Sequence, residues 1–216
     1  MLVIAYYDNM GYYNMVRRMN LQCEKFELNY KNYNREWLIK QEEFDKHIKL
    51  FSSHKGGGYW AWKPLIIRDA LQYDNEILYL DSSVVIPNKE FVLRNIEISS
   101  LLSAPKTEFI NANWTKLSCF VNMGCTSDEY LYAPQVWAGM IVAKRGCDDI
   151  LSEWKHWCLD YETVSDTNKT GAVKTFMDHR HDQSILTNLL IKYNQSYLDS
   201  TGFSDVNDFS LKYIDT

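Results

Sequence analysis

Asp81 and Lys63 are the residues whose settings invite chemistry. An apolar run, Ile77-Leu78-Tyr79-Leu80, is long enough for a buried strand and too short for a helix, and it stops at Asp81, followed by Ser82 and Ser83. Open α/β sheets bind ligands at the carboxyl ends of their strands, so this carboxylate stands where a cofactor or metal would sit. Lys63 precedes Pro64, which suits the first position of a helix continuing to Leu71 with Leu65, Ile66, Ile67 and Ala70. An ammonium beside the free N–H groups of a first helical turn attracts an anion, phosphate being the usual one. His54 and Lys55, beside Gly56-Gly57-Gly58, are placed to touch the same phosphate. The ordinary explanation of a lone Asp after a strand is a turn or a helix cap, and the three glycines match neither a Walker loop nor the G-x-G-x-x-G fingerprint.

The surrounding elements must bring these groups together. Leu2 to Tyr7 reads as a second near-continuous apolar strand ending in the turn Asp8-Asn9-Met10-Gly11, and both strands read as buried and parallel. From Tyr13 to Phe26, Val16, Met19, Cys23 and Phe26 make one helical face, with Arg17 and Arg18 outside it. Arg35 to Phe51 is predicted as one further helix, and Phe91 to Leu102 as another. Trp137 to Ala143 looks like a third apolar strand. Ile150 to Tyr161 is a helix whose Trp154 and Trp157 suit core packing better than sugar stacking. Asp182 is a natural N-cap for a helix reaching Tyr193, and the tail carries strand-like patches at Tyr197-Leu198-Asp199 and from Phe209 to Ile214.

With 216 residues and ordinary apolar and charged fractions, the chain is expected to be a single domain, 1–216, of the α/β class with a mainly parallel central sheet flanked by helices. A formal charge of −5 without a basic block argues against nucleic acid and a polybasic membrane anchor. Five irregularly spaced cysteines read as reduced, mostly buried thiols. No run approaches the length of a membrane span, and Leu2 to Tyr7 is too short for a signal peptide, so a cytoplasmic protein is expected and the three N-glycosylation sequons read as coincidence.

The order Tyr59-Trp60-Ala61-Trp62-Lys63-Pro64, short helix, Ile77-Leu78-Tyr79-Leu80-Asp81-Ser82-Ser83-Val84-Val85-Ile86 resembles the centre of GT-A glycosyltransferases, especially retaining galactosyltransferase-like families and the domains encoded by large algal (chlorella) viruses. The resemblance implies a GT-A-like fold and transfer of a sugar, with retention, from a nucleotide diphosphate donor, UDP-hexose or UDP-deoxyhexose, to a carbohydrate acceptor. For a virus-encoded enzyme the location is the host cytoplasm. It places the nucleotide on Ala5, Tyr6, Tyr7 and Asp8, with Asp81, Ser82 and Ser83 beside it, Asp81 holding Mn²⁺ or Mg²⁺ and Lys63 the phosphates. The family's second metal-binding aspartate is Ser83 here, and its late histidine ligand is missing or is supplied by His179 or His181. Trp137-Ala138-Gly139 matches a segment lining the sugar pocket, where the small residues would let a sugar ring approach the backbone. Asp182-Gln183 matches the segment that positions donor and acceptor sugars. The roles implied are catalytic for Asp182 and Lys63, and substrate-binding for Trp137, Ala138, Gly139, Asp182 and Gln183.

Two other classes compete. Fifteen tyrosines and seven tryptophans suit a non-catalytic carbohydrate-binding protein. A glycoside hydrolase needs two carboxylates flanking a bond, and adjacent Asp148 and Asp149 would project in different directions.

Overall fold

The computed structural model describes residues 1–199 and the two-residue strand Ser204–Asp205; the strand-like patch expected from Phe209 to Ile214 lies outside the described residues. The strands are β1 (Leu2–Tyr7), β2 (Asn29–Asn34), β3 (Glu76–Leu80), β4 (Val84–Val85), β5 (Leu102–Ile110), β6 (Pro134–Val136), β7 (Met140–Lys144), β8 (Tyr197–Leu198) and β9 (Ser204–Asp205). Seven form one sheet in the order β2-β1-β3-β7-β5-β6, with β8 also on β5, while β4 pairs with β9. β1 runs parallel to β2 and β3, and β5 to β8. β7 is antiparallel to β3 and β5, and β6 to β5. The expected α/β architecture, a central sheet covered by helices, is the observed one.

Side-chain alternation divides the core into two layers. Ile4, Tyr6, Ile77, Tyr79, Ile141 and Ala143 point to one face, under helices Lys63–Ala70, Leu117–Met123, Asp148–Leu159 and Asp182–Lys192. Val3, Ala5, Leu78, Leu80, Met140 and Val142 point to the other, under helices Met10–Lys25 and Lys89–Ile98. Each fully buried branched residue contributes about 1.5–3 kcal/mol relative to exposure. Asn9, Asn34 and Asn88 cap the helices that follow them by accepting from Gly11, Trp37 and Phe91 N–H, worth about 1 kcal/mol each. All five cysteines are free and buried, Cys23 in the second layer and the others in the first.

Two local expectations are corrected. The single helix expected from Arg35 to Phe51 is three short ones, Arg35–Ile39, Glu42–Lys46 and Ile48–Phe51, broken where Gln41 is extended and His47 leaves the helical region. Leu38, Phe44 and Leu50 are all buried, and six-residue steps would spread them around a straight helix, so only a broken one delivers all three to the core. Arg18, read as lying outside the apolar face, is buried, and its Nη2 donates to the carbonyls of Ser82 and Val84 at 3.0 Å each.

The topology brings the chemically interesting residues to one edge. Because β1 and β3 are parallel, their carboxyl ends, Tyr7-Asp8 and Leu80-Asp81, emerge on the same side. β7 is antiparallel to β3 with Leu80 opposite Met140, so the residues entering β7, Trp137 to Gly139, arrive at that edge too, and Asp81 N–H donates to Gly139 O at 2.8 Å.

Candidate functional site

That edge opens into a cleft with two connected lobes of about 450 Å³ and about 300 Å³, sharing Trp60 and Asp81 as a common wall. Of the sequence-predicted residues, Tyr6, Tyr7, Asp8, Asp81, Ser82 and Ser83 line the larger lobe. Lys63, Asp81, Trp137, Gly139, Asp182 and Gln183 line the smaller one. His54 lies on the first lobe, whereas Lys55 lies on the second and pairs with Asp166 at 2.9 Å. Ala5 is not on the cleft, because it points into the second core layer with no exposed surface. Ala138 is also buried and acts through its backbone: its carbonyl accepts from Lys63 Nζ at 2.8 Å and its N–H donates to Gln183 Oε1 at 3.1 Å. The need for glycine at 139 differs from the expected one, since a Cβ there would lie 2.2 Å from the Trp137 ring. The space above Gly139 belongs to that indole.

Lys63 is the electrostatic centre. Helix Lys63–Ala70 runs back across the sheet, so its first residue meets Asp81 at the strand ends. The ammonium is buried, 3.1 Å from Asp182 Oδ2 and 3.5 Å from Asp81 Oδ1. Burial alone would favour a neutral amine, but the two carboxylates outweigh it and hold the Lys63 pKa above its ordinary value. Asp182 goes the other way: burial raises its carboxyl to about 6, against the pull of a lysine shared with Asp81. Its expected N-cap role is not observed, for the helix is capped by His181 without a side-chain bond and the Asp182 carboxylate turns inward to Lys63. Asp81 Oδ1 also accepts from the Tyr79 hydroxyl, whose own ionisation is pushed far up by burial and then by Asp81.

The loop dividing the lobes is built left-handed. Five consecutive residues, Gly56, Gly57, Gly58, Tyr59 and Trp60, have φ of 57°, 60°, 107°, 54° and 59°. For Tyr59 and Trp60 such backbone costs about 1–3 kcal/mol each and persists only where surroundings enforce it. Here Arg35 donates to the carbonyls of Phe51 and Gly57, and Gly57 packs so closely on Asp8 that a Cβ would lie 2.9 Å from Oδ2. His181, with φ 51°, also has a left-handed backbone, and its ring lies 4.9 Å from Tyr59 and 5.7 Å from Trp60. The triple glycine and Asp8 were visible in the sequence; the continuation through two aromatic residues carried no sequence signal.

The histidines considered as metal ligands separate cleanly. His179 uses both ring nitrogens, Nε2–H donating to Thr163 O at 3.0 Å and Nδ1 accepting from Lys116 N–H at 3.4 Å, so it has no lone pair left to ligate. His181 Nδ1–H donates to Val164 O at 2.7 Å, while its Nε2 is buried without a hydrogen-bond partner among the described residues. Burial lowers its pKa to about 4, so the ring is neutral near neutral pH. Among the described residues no three His, Cys, Asp or Glu side chains form a metal-holding group. Asp81 nevertheless fits a singly anchored cation: its side chain is 32 % exposed, and its Oδ2 has no partner among the described residues. Asp148 and Asp149 begin helix Asp148–Leu159 and line neither lobe.

No family model matches the chain, and no curated protein sequence matches it. Solved structures do. Mouse xyloside xylosyltransferase 1 superposes with a TM-score of 0.50 at 10% identity, covering 92% of this chain and 85% of that one. A glycosyltransferase involved in the glycosylation of the major capsid of PBCV-1 matches with TM-score 0.42 and 14% identity over 72% of this chain, which spans 65% of that protein's length. The galactosyltransferase LgtC, solved with donor and acceptor sugar analogues, matches with TM-score 0.43 and 16% identity over 93% of this chain and 74% of its own. The architecture is thus a GT-A-like glycosyltransferase fold. Among the described residues no helix is long and apolar enough to cross a membrane.

Proposed function

We propose that this cleft transfers a hexose or deoxyhexose from UDP to a carbohydrate hydroxyl, with retention of anomeric configuration. The observation that carries the reading is the buried Lys63 ammonium between Asp81 and Asp182, at the wall where two lobes meet. The larger lobe, with Tyr6, Tyr7 and Asp8, takes the nucleotide, and the smaller one takes the sugars. In such a transfer the bond from the sugar's anomeric carbon to the diphosphate oxygen breaks and one to the acceptor oxygen forms. The proton leaves the acceptor hydroxyl for the departing phosphate on the same sugar face. Lys63 favours the charge developing on that phosphate, which a fixed ammonium in a dry site does more strongly than water would. Asp182 orients the sugars against Lys63, and Gln183 holds the Ala138 backbone in place. Mn²⁺ or Mg²⁺, held by Asp81 together with diphosphate and water oxygens, would add Lewis-acid neutralisation of the leaving group.

The test is thermal-shift screening of uridine, guanosine and adenosine diphosphates and their sugars, with and without Mn²⁺, followed by NMR of the product's anomeric centre. UDP is expected to raise the melting temperature selectively, because a ligand bound only by the folded state stabilises it by mass action. Binding of a guanosine nucleotide with none of uridine rejects the donor assignment, and an inverted product rejects retention.

A further inference from the structure

The outer part of the smaller lobe pairs an exposed aromatic ring with an uncommitted cation. Phe109, near the end of β5, lines the lobe with half its surface exposed, and its ring tilts against Trp114 at 5.4 Å between centroids. Arg180 lies over the other partner, its guanidinium carbon 4.3 Å from the Trp114 ring centroid. Its backbone N–H donates to Trp114 O at 3.0 Å and to Ser184 Oγ at 3.2 Å, so the residue is anchored although its side chain is exposed. The guanidinium carbon sits over the indole, and its five N–H donors find no acceptor among the described residues.

Every other charged side chain on this lobe has a partner of opposite charge within the protein, although Asp81 and Asp182 share one ammonium. Lys63 pairs with Asp81 and Asp182, Lys55 with Asp166, and Asp178 with Lys169 at 2.8 Å. Arg180 is therefore the lobe's one cation without a carboxylate partner among the described residues, in a chain whose formal charge is −5. A guanidinium seated over an indole, with its fork of donors unspent, matches a carboxylate or phosphate in two parallel hydrogen bonds. A half-exposed phenyl ring beside it offers a platform for the C–H face of a pyranose.

We infer that the acceptor is an anionic sugar, its ring seated on Phe109 and its carboxylate or phosphate held by Arg180. This rests on the glycosyltransferase reading of the cleft for the word acceptor, but not for the binding itself. Titration of the full chain, with and without UDP, uses methyl β-glucuronide, glucose 6-phosphate and neutral methyl β-glucoside as probes. At least one anionic probe should bind about tenfold or more tightly than the glucoside, the worth of one charge-assisted pair of hydrogen bonds. Which anion binds distinguishes a uronate from a sugar phosphate. Arg180→Gln should erase the preference while leaving UDP affinity unchanged, and Phe109→Ala should weaken the anionic probe without touching UDP. Equal binding of the neutral glycoside, binding of neither anion, or a preference that survives Arg180→Gln overturns the inference. An Arg180-dependent preference in a protein that binds none of the uridine, guanosine and adenosine diphosphates or their sugars supports the anion site while refuting the transferase reading, so the two fail separately.

Discussion

Replacing Asp182 with asparagine keeps the side chain's shape and removes its charge, which isolates the cost of ionising a buried carboxylate. Burial lifts this carboxyl from 3.8 to about 6, and Lys63 only partly offsets it. A folded pKa above the unfolded one means that, between those values, the folded protein keeps a proton that the unfolded chain has released. Stability contributed by this group therefore falls as pH rises from about 4 to about 6 and stays lower above that. At about 1.4 kcal/mol per pH unit, the full loss is about 3 kcal/mol, of which about 2 kcal/mol falls between about pH 4.5 and about pH 7.5. Lys63 has its pKa raised, so it stays charged throughout this window and contributes no slope. Urea unfolding of both proteins at the two pH values measures the difference: the wild type should lose about 2 kcal/mol more than Asp182→Asn on going up in pH. Parallel pH dependences, or a wild type that gains on the variant as pH rises, would show that Lys63 holds the carboxyl low and that the burial argument is wrong.

Gly57→Ala should lower stability by about 1–2 kcal/mol and weaken UDP binding several-fold, because the new methyl meets Asp8 Oδ2 at 2.9 Å on a left-handed backbone; unchanged melting and affinity would mean that Asp8 can yield freely. Arg18→Met should cost about 2–4 kcal/mol in urea unfolding, since the carbonyls of Ser82 and Val84 lose a buried charged donor; an unaltered midpoint would refute its role in holding the Asp81 turn. Asp81→Ala and Lys63→Ala should each reduce donor affinity and turnover together by about tenfold or more, as charge neutralisation serves both states. Full turnover of Asp81→Ala in the presence of chelator would remove the cation from the scheme.

The parts of this site that could be read in advance are those whose signal is local. An apolar run ending in Asp announces a strand terminus, and Lys-Pro before an amphipathic stretch announces a helix start, so Asp81 and Lys63 were legible one by one. Their place at one nucleotide site follows from the resemblance, but their direct ion pair does not, because a 3.5 Å contact depends on a crossover and on which neighbours β3 takes. β2, Asn-Tyr-Lys-Asn-Tyr-Asn, has no signal in the sequence, because an edge strand in which Tyr33 alone is buried carries neither an apolar run nor an alternating pattern. Arg18 looked solvated because its acceptors are carbonyls 64 and 66 residues away. The Arg180 and Phe109 pairing is assembled through Trp114 from residues far apart in the chain.

The placement of the five thiols gives the protein a built-in reporter of its own opening. Burial pushes Cys23 up to about 12 and Cys125 and Cys147 to about 11, and raises Cys119 and Cys158 well above the ordinary thiol range, so the nucleophilic thiolate is scarce in the folded state. An alkylating reagent consequently reacts at a rate set by how often each layer exposes its sulfur rather than by intrinsic reactivity. Cys23 lies alone on one side of the sheet and the other four lie on the opposite side. Mass spectrometry of a labelling time course would therefore resolve the two layers, with a singly tagged species marking detachment of helix Met10–Lys25 and a jump to five tags marking global unfolding.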